Sequence, residues 1–317
     1  MLFRYPFVAM GSGCEILVEG ERSTVVKSLV ESALTEIHRL EQKYSFYHQD
    51  SLLSQINTHA HKEPVIIDEE TEWLLDACEE LHQSTSGRFD PTIGSVAKCW
   101  DFREMRLPSA TDIAEGLKSV GWNKVEYTSS TVRLAHPETQ LDFGGIVKEY
   151  AIDCAVGILT SLGVTRGLVN LGGDLRTVGR VPQDYRAFSV GIAHPRRHHD
   201  TAATLALRQG AVVSSGDYQR YFLRDGKRYH HLLDPSTGEP LELLASSVTS
   251  HAETAVKALV IGKQALFART PDDVDQIRQG LVLICDEEGD PRQVHQQEDC
   301  RVVRIASERA GGHSSSL

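Results

Sequence analysis

The stretch "LDFGGIVKEYAIDCAVGILTSLGVTRGLVNLGGDLRTVG" (141–179) decides the fold class. It reads as a short strand, a diglycine turn and a helix ending at Gly163. Over 166–179 it continues as strand, diglycine, strand. Glycine supplies the positive φ that tight turns and helix ends require. With the strands and helices read along the rest of the chain, this gives one α+β unit. Upstream, residues 14–20 have strand composition. Thr24 is placed to cap a helix with Val26, Leu29, Val30, Ala33, Ile37 and Leu40 on one face. The aromatics of 43–57 interrupt it, and a short helix restarts near Asp50 or Ser51. Asp68 caps another, with Trp73, Leu74, Ala77 and Leu81 on one side. Residues 85–94 are turn-rich and 124–136 read as a hairpin. Downstream, strands dominate 186–250, helices fall at 251–262 and 270–280, and 280–294 is strand, acidic turn, strand. No repeat or Pro/Ser linker divides the chain. The expectation is one domain over 1–306, with two lobes, and a disordered tail over 307–317.

The chain has 317 residues, 40% hydrophobic and 24% charged, which allows a sizeable core without disulfide or metal staples. A net charge of −11 argues against a broad surface for nucleic acid or anionic membrane. No apolar run reaches the roughly 18 residues of a membrane span. No leader or lipid-attachment cysteine is visible, so the expected location is cytoplasmic, or periplasmic if a leader preceded this sequence. Cys14, Cys78, Cys99, Cys154, Cys285 and Cys300 are scattered, without a Cys-x-x-Cys pair, and suit a reduced compartment.

Small-residue turns recur beside polar groups in "MGSGC" (10–14), "SGRFDPTIG" (86–94), "DFGGIVKE" (142–149) and "VNLGGDLR" (169–176). Exposed amides at such turns favour phosphate. Lys148 near a helix N-terminus opposes the helix dipole, which makes sense if an anion lies there. Taken singly, each diglycine is equally an ordinary turn. None matches a P-loop or G-x-G-x-x-G fingerprint. Tyr44, Phe46 and Tyr47, and the "SGDYQRYF" segment (215–222) with Tyr218, Arg220 and Tyr221, offer aromatic faces and an arginine suited to a planar phosphorylated ligand. In "DGKRYHHLLDPSTGEP" (225–240) strand alternation sends His230 and His231 to opposite sides.

In order, these motifs resemble the ApbE-like FAD:protein FMN transferase family. "AMGSGCEI", "YSFYHQDSLLSQIN", "SGRFDPTIGSVAKCWDF", "LDFGGIVKEYAIDCA", "GLVNLGGDLRTVG", "SSGDYQRYF" and "RYHHLLDPSTGEP" follow the family's sequence of motifs over roughly residues 5–265. The resemblance implies a two-lobed α+β fold, with mixed or antiparallel sheets, flanking helices and a ligand cleft between the lobes. It implies FAD in that cleft, with Met10 and Tyr47 lining the flavin-nucleotide site and Arg88, Phe89 and Asp90 holding the adenosine part. It further implies that Asp142 and Lys148 contact the nucleotide, that the Gly145 carbonyl faces magnesium, and that Asn170, Ser215 and Tyr218 shape the cleft. His231 matches the family's histidine, facing the pyrophosphate, while His230 is expected to be expendable. The implied reaction moves FMN from FAD to a threonine hydroxyl of a flavoprotein carrying an Asp-x-x-Ser/Thr-Gly-Ala-Thr motif, with AMP released. His231 and Lys148 are the implied catalytic groups.

One segment departs from the family. Its magnesium helix reads Ala-Asp-x-x-x-Thr, whereas this chain has "AETAVKAL" (252–259), with Glu253 for the aspartate and Lys257 for the threonine. Four residues apart on a helix, they can pair. Either the lysine ammonium replaces the cation and weakens the metal site, or the two form an exposed surface pair. Two other functions therefore stand beside transfer: an FAD-binding protein without catalysis, and a metal-dependent FAD pyrophosphatase.

Overall fold

The computed structural model of the chain describes residues 1–277, 280–294 and 298–305. Its centre is an eight-stranded antiparallel sheet. In spatial order the strands are Leu2–Ala9, Ser12–Glu19, Gly167–Leu171, Asp174–Val178, Ala211–Gly216, Ser247–Ala252, Leu281–Cys285 and Pro291–Gln293. The diglycine of "VNLGGDLR" is the two-residue turn of a hairpin pairing Leu171 with Asp174. Both glycines take positive φ, +62° and +101°, as a tight hairpin of matching twist demands.

Strand side chains alternate between two cores. Ile16, Val18, Val169, Leu171 and Val213 point to the first, shared with the helices Ser23–Tyr44, Val147–Ser161 and Ala255–Leu266. Leu17, Leu168 and Val212 point to the second, closed by a three-stranded sheet of Phe188–Ala193, Thr201–Leu207 and Cys300–Ile305. A small third cluster joins Val96, Trp100 and Ile113 to Phe222 and Leu233. It packs residues 94–120 against the hairpin Tyr221–Arg224 and Lys227–His230. Trp100 Nε1 donates to the Gly238 carbonyl at 3.0 Å and ties the proline turn to that cluster.

Several local readings change. Residues 141–143 form no strand. Instead the Asp142 amide donates to the Pro91 carbonyl at 2.7 Å, lashing two loops together. The first helix begins at Ser23 after Arg22, with no side-chain cap, so Thr24 is not the cap. Ser51 and Asp68 do cap the helices Leu52–His59 and Glu69–Ser84. Trp73 is 43% exposed: it lies one position off the buried Leu74, Leu81 stripe and packs on Tyr150, ring centroids 4.9 Å apart. His251 and Ala252 end a strand, and the helix expected there starts after its Thr254 cap. The helix expected over 270–280 ends at Gln276. The tail 307–317 lies outside the described residues.

Asp153 holds the helix side together. It lies on Val147–Ser161, and its carboxylate accepts from the amides of Ala255 (2.8 Å) and Val256 (3.0 Å) and from Arg176 Nη1 (2.8 Å). A carboxylate from a neighbouring helix thus satisfies the first amides of Ala255–Leu266. Asp153→Ala should lower stability by about 2 kcal/mol, through lost capping and an unpaired Arg176, read as a lower urea midpoint at unchanged m-value.

Candidate functional site

A cavity of about 250 Å³ opens on the helix side of the sheet. Three loops, two helices and strands of the central sheet meet there. The turn-rich segment brings Arg88, Phe89 and Asp90. The loop before Val147–Ser161 brings Asp142 and Gly145, and the first turn of that helix brings Lys148 and Glu149. The central sheet contributes Asp174, Ser214 and Ser215, the proline-turn segment contributes His231, and the helix Ala255–Leu266 contributes Lys263.

His231 follows the last residue of its strand and is half-buried. Its ring Nδ1 lies 3.1 Å from the Arg220 carbonyl. A carbonyl only accepts, so Nδ1 carries the proton and Nε2 keeps its lone pair. Burial, reinforced by the Lys263 charge, lowers its pKa to about 4, so the ring is neutral at pH 7. His230 faces the core: it is buried and donates from Nε2 to the Leu241 carbonyl at 3.2 Å. It is therefore a fixed structural residue rather than an expendable one.

Lys148 sits between two buried carboxylates. Its Nζ lies 3.0 Å from Glu149 Oε1 and hydrogen-bonds the Asp174 carboxylate. The other Asp174 oxygen accepts from the Ser214 amide at 2.8 Å. These anions offset the unfavourable position of a lysine in the first helical turn. Asp142 accepts from the Gly144 amide at 2.8 Å, while burial pushes its carboxyl pKa up. Gly145 has to be glycine: a Cβ there would lie 2.8 Å from the Phe89 ring.

Arg88 and Asp90, expected to hold the adenosine part through backbone and side chain, have their side-chain hydrogen-bonding groups taken by the protein. Both Asp90 oxygens are used, one by Thr92 (amide 2.8 Å, hydroxyl 2.6 Å) and the other by the Trp122 amide at 3.0 Å. Arg88 donates to the carbonyls of Phe267 (2.6 Å), Ala268 (3.1 Å) and Glu242 (2.8 Å). Both line the cavity through the loop they stiffen.

Met10, Tyr47, Asn170 and Tyr218 do not line the cavity. Tyr47 is 80% exposed. Asn170 Oδ1 accepts from the Gly173 amide at 2.9 Å, bracing the hairpin turn. Met10 occupies the turn before Ser12 with φ +51°. A Cβ on Gly172 would lie 3.0 Å from Ser12 Oγ and 3.9 Å from Lys148 Cδ, so both turns adjoin the lysine end of the cavity.

The expected magnesium residues do not assemble. Gly145 lines the cavity, but Glu253 and Lys257 have side chains 75% and 65% exposed and pair with each other at 3.0 Å. Helical geometry explains this. The cavity receives Leu259, Lys263 and Phe267, four residues apart, and Lys257 falls about 200° around the helix from Leu259. Among the described residues no group of three His, Cys, Asp or Glu side chains is arranged to hold a metal ion.

Glu149, Asp174, Ser214 and Lys263 were not legible as site residues. Only Lys263 carries a local signal, a charge placed among the buried positions Leu259, Gly262 and Leu266 of its helix.

The chain is 30% identical over 272 residues to an FAD:protein FMN transferase of Treponema pallidum, covering 79% of this chain and 74% of that protein. It is 29% identical over 290 residues to a protein of the same name from Klebsiella pneumoniae, covering 87% and 88%. The crystal structure of an ApbE protein from Thermotoga maritima superimposes with a TM-score of 0.82 at 32% identity, over 93% of this chain and 97% of that one. A flavin transferase ApbE from Vibrio cholerae shares the fold, with a TM-score of 0.77 at 22% identity over 92% and 96%. The sequence model of the ApbE family matches residues 10–276, and with the fold and the order of motifs around His231 and Lys148 in agreement, the chain belongs to the ApbE family.

Proposed function

We propose that this chain is an FAD:protein FMN transferase, moving FMN from FAD to the threonine hydroxyl of an acceptor flavoprotein. The observation that carries the reading is His231: a neutral imidazole with its proton fixed on Nδ1 and its Nε2 lone pair available, in the wall of a cavity that also holds Lys148. The threonine oxygen attacks the FMN phosphorus and its proton passes to Nε2. The phosphorus–oxygen bond to AMP breaks, and AMP leaves with that electron pair. Catalysis of such a transfer rests on charge stabilisation and in-line positioning. Lys148 faces the diphosphate, while Asp142 and Ser215 orient the nucleotide. At about 250 Å³ the cavity is smaller than the usual ligand pocket of about 300–1,000 Å³, so the dinucleotide extends beyond it. The flavin end runs over the adjoining turns at Met10 and Asn170. The acceptor presents the Asp-x-x-Ser/Thr-Gly-Ala-Thr motif. No magnesium step is assigned, because Glu253 and Lys257 point away. Among the described residues no helix is long and apolar enough to cross a membrane.

Incubation with FAD and a protein carrying that motif tests the reading. Covalent flavin fluorescence on the acceptor, with one AMP released per label, is the expected result. AMP and FMN without a labelled acceptor would make the chain a pyrophosphatase, and neither product would leave an FAD-binding protein.

A further inference from the structure

Lys263 is the least explained group in the molecule. It sits in the last turn of Ala255–Leu266 and is 7% exposed. Among the described residues no carboxylate lies within 4 Å of its Nζ, and its nearest named partner is the Phe267 ring, 5.2 Å to the centroid. The small remaining exposure opens on the cavity, which Lys263 lines beside Lys148 and His231. A buried ammonium without a counter-ion is costly and is ordinarily neutralised or paired. Burial lowers its pKa to about 8, the Glu149 charge working against that shift, so the ammonium persists at neutral pH. Lys148 differs: two carboxylates already surround it.

Lys263 thus feels Glu149 only at a distance, through a carboxylate that Lys148 already holds at 3.0 Å, and its own ammonium has no carboxylate in contact, which leaves room for an anion from outside. The reading of the site as one for FAD supplies it, and the inference rests on that reading. We propose that Lys263 is the built-in cation of this cavity, its ammonium binding the diphosphate of the dinucleotide so that FAD binding needs no divalent metal. The helix that presents Lys263 inward turns Lys257 outward, where it pairs with Glu253 just before the helix cap. One rotational setting of that helix thus brings a fixed charge into the cavity and takes Lys257 out of it.

The test measures FAD affinity by quenching of flavin fluorescence, once with excess EDTA and once with millimolar magnesium. The two dissociation constants should agree within about twofold. Lys263→Met should weaken FAD about tenfold or more in both buffers, with Lys263→Arg retaining most of the affinity. Riboflavin, which lacks phosphate, should bind all three chains alike. Melting curves should show that Lys263→Met folds, since removing a buried unpaired charge is not destabilising. Should that variant fail to fold, the EDTA comparison on the unaltered chain and the Lys263→Arg affinity still decide. Magnesium tightening FAD binding tenfold, or a stoichiometric magnesium heat in calorimetry with FAD present, overturns the proposal and leaves the flavin reading standing. Wild-type affinity in Lys263→Met overturns it as well. FAD binding in neither buffer overturns both.

Discussion

His231→Ala loses turnover by about 10²–10⁴-fold, the range for removing a positioned general base, while FAD affinity stays close to that of the unaltered chain. The asymmetry follows from what the ring does. A neutral imidazole contributes little charge to holding a diphosphate, and its Nε2 matters only when the acceptor hydroxyl must lose its proton. The kcat therefore falls and the dissociation constant for FAD does not. The pH profile supplies a second readout. His231 is held near 4, against an ordinary value of 6.5, by burial and the Lys263 charge. The basic form is then complete at pH 6 and above, and the rate should be flat from pH 8 to 6 as far as this group is concerned. An inflection at 6.5 that vanishes in His231→Ala would show that the ring is not buried as described. The sign for stability is consistent. The unfolded chain takes up the proton near 6.5 and the folded one only near 4, so this group's contribution is present above 6.5 and is lost as the pH falls toward 4.

Lys148→Met should be the most damaging substitution at the site, because it acts on folding and on binding together. The ammonium separates Glu149 and Asp174, whose side chains are 4% and 3% exposed. Its removal leaves two carboxylates facing each other with no cation in contact with either, Lys263 acting on Glu149 only at a distance. Breaking a buried pair from one side costs about 3–5 kcal/mol, and the 23% exposure of the Lys148 side chain brings the expectation to about 2–3 kcal/mol. Chemical denaturation should show that loss, with FAD affinity down about tenfold or more. Adding Asp174→Asn should restore part of the stability, since one of the stranded charges goes, but none of the FAD affinity. A double variant that bound FAD normally would show that Lys148 is only a structural neutraliser.

Most secondary elements could be read from local chemistry. The alternation of 166–179 and its diglycine define a hairpin whether or not the rest of the sheet is known. Asp68 and Ser51 announce helix starts because a short side-chain oxygen must meet an exposed amide. Errors fell where tertiary contacts decide. The Asp142 segment has strand composition, yet its amide goes to the Pro91 carbonyl of another loop rather than into a ladder. Trp73 lies at the edge of an apolar stripe, and only the position of Tyr150 shows that it packs sideways at the surface.

The candidate site divides along the same line. Motif order singled out Asp142, Gly145, Lys148, Ser215 and His231, and all of them line the cavity. Nothing in the sequence told that Asp90 and Arg88 spend their hydrogen-bonding groups on the protein's own backbone and side chains, or that Tyr47 stays in solvent. The sequence by itself determined the class of the fold, the positions of its turns and the residue types available for phosphate chemistry, because φ preferences, caps and periodicity act over a few residues. The tertiary structure alone decided which charges became neighbours. Lys148 meets Asp174 across 26 residues of chain, and Lys263 reaches the same cavity from a helix more than a hundred residues further on. Whether a buried ammonium has a counter-ion depends on distances of a few ångströms in space, and separation along the chain carries no information about them.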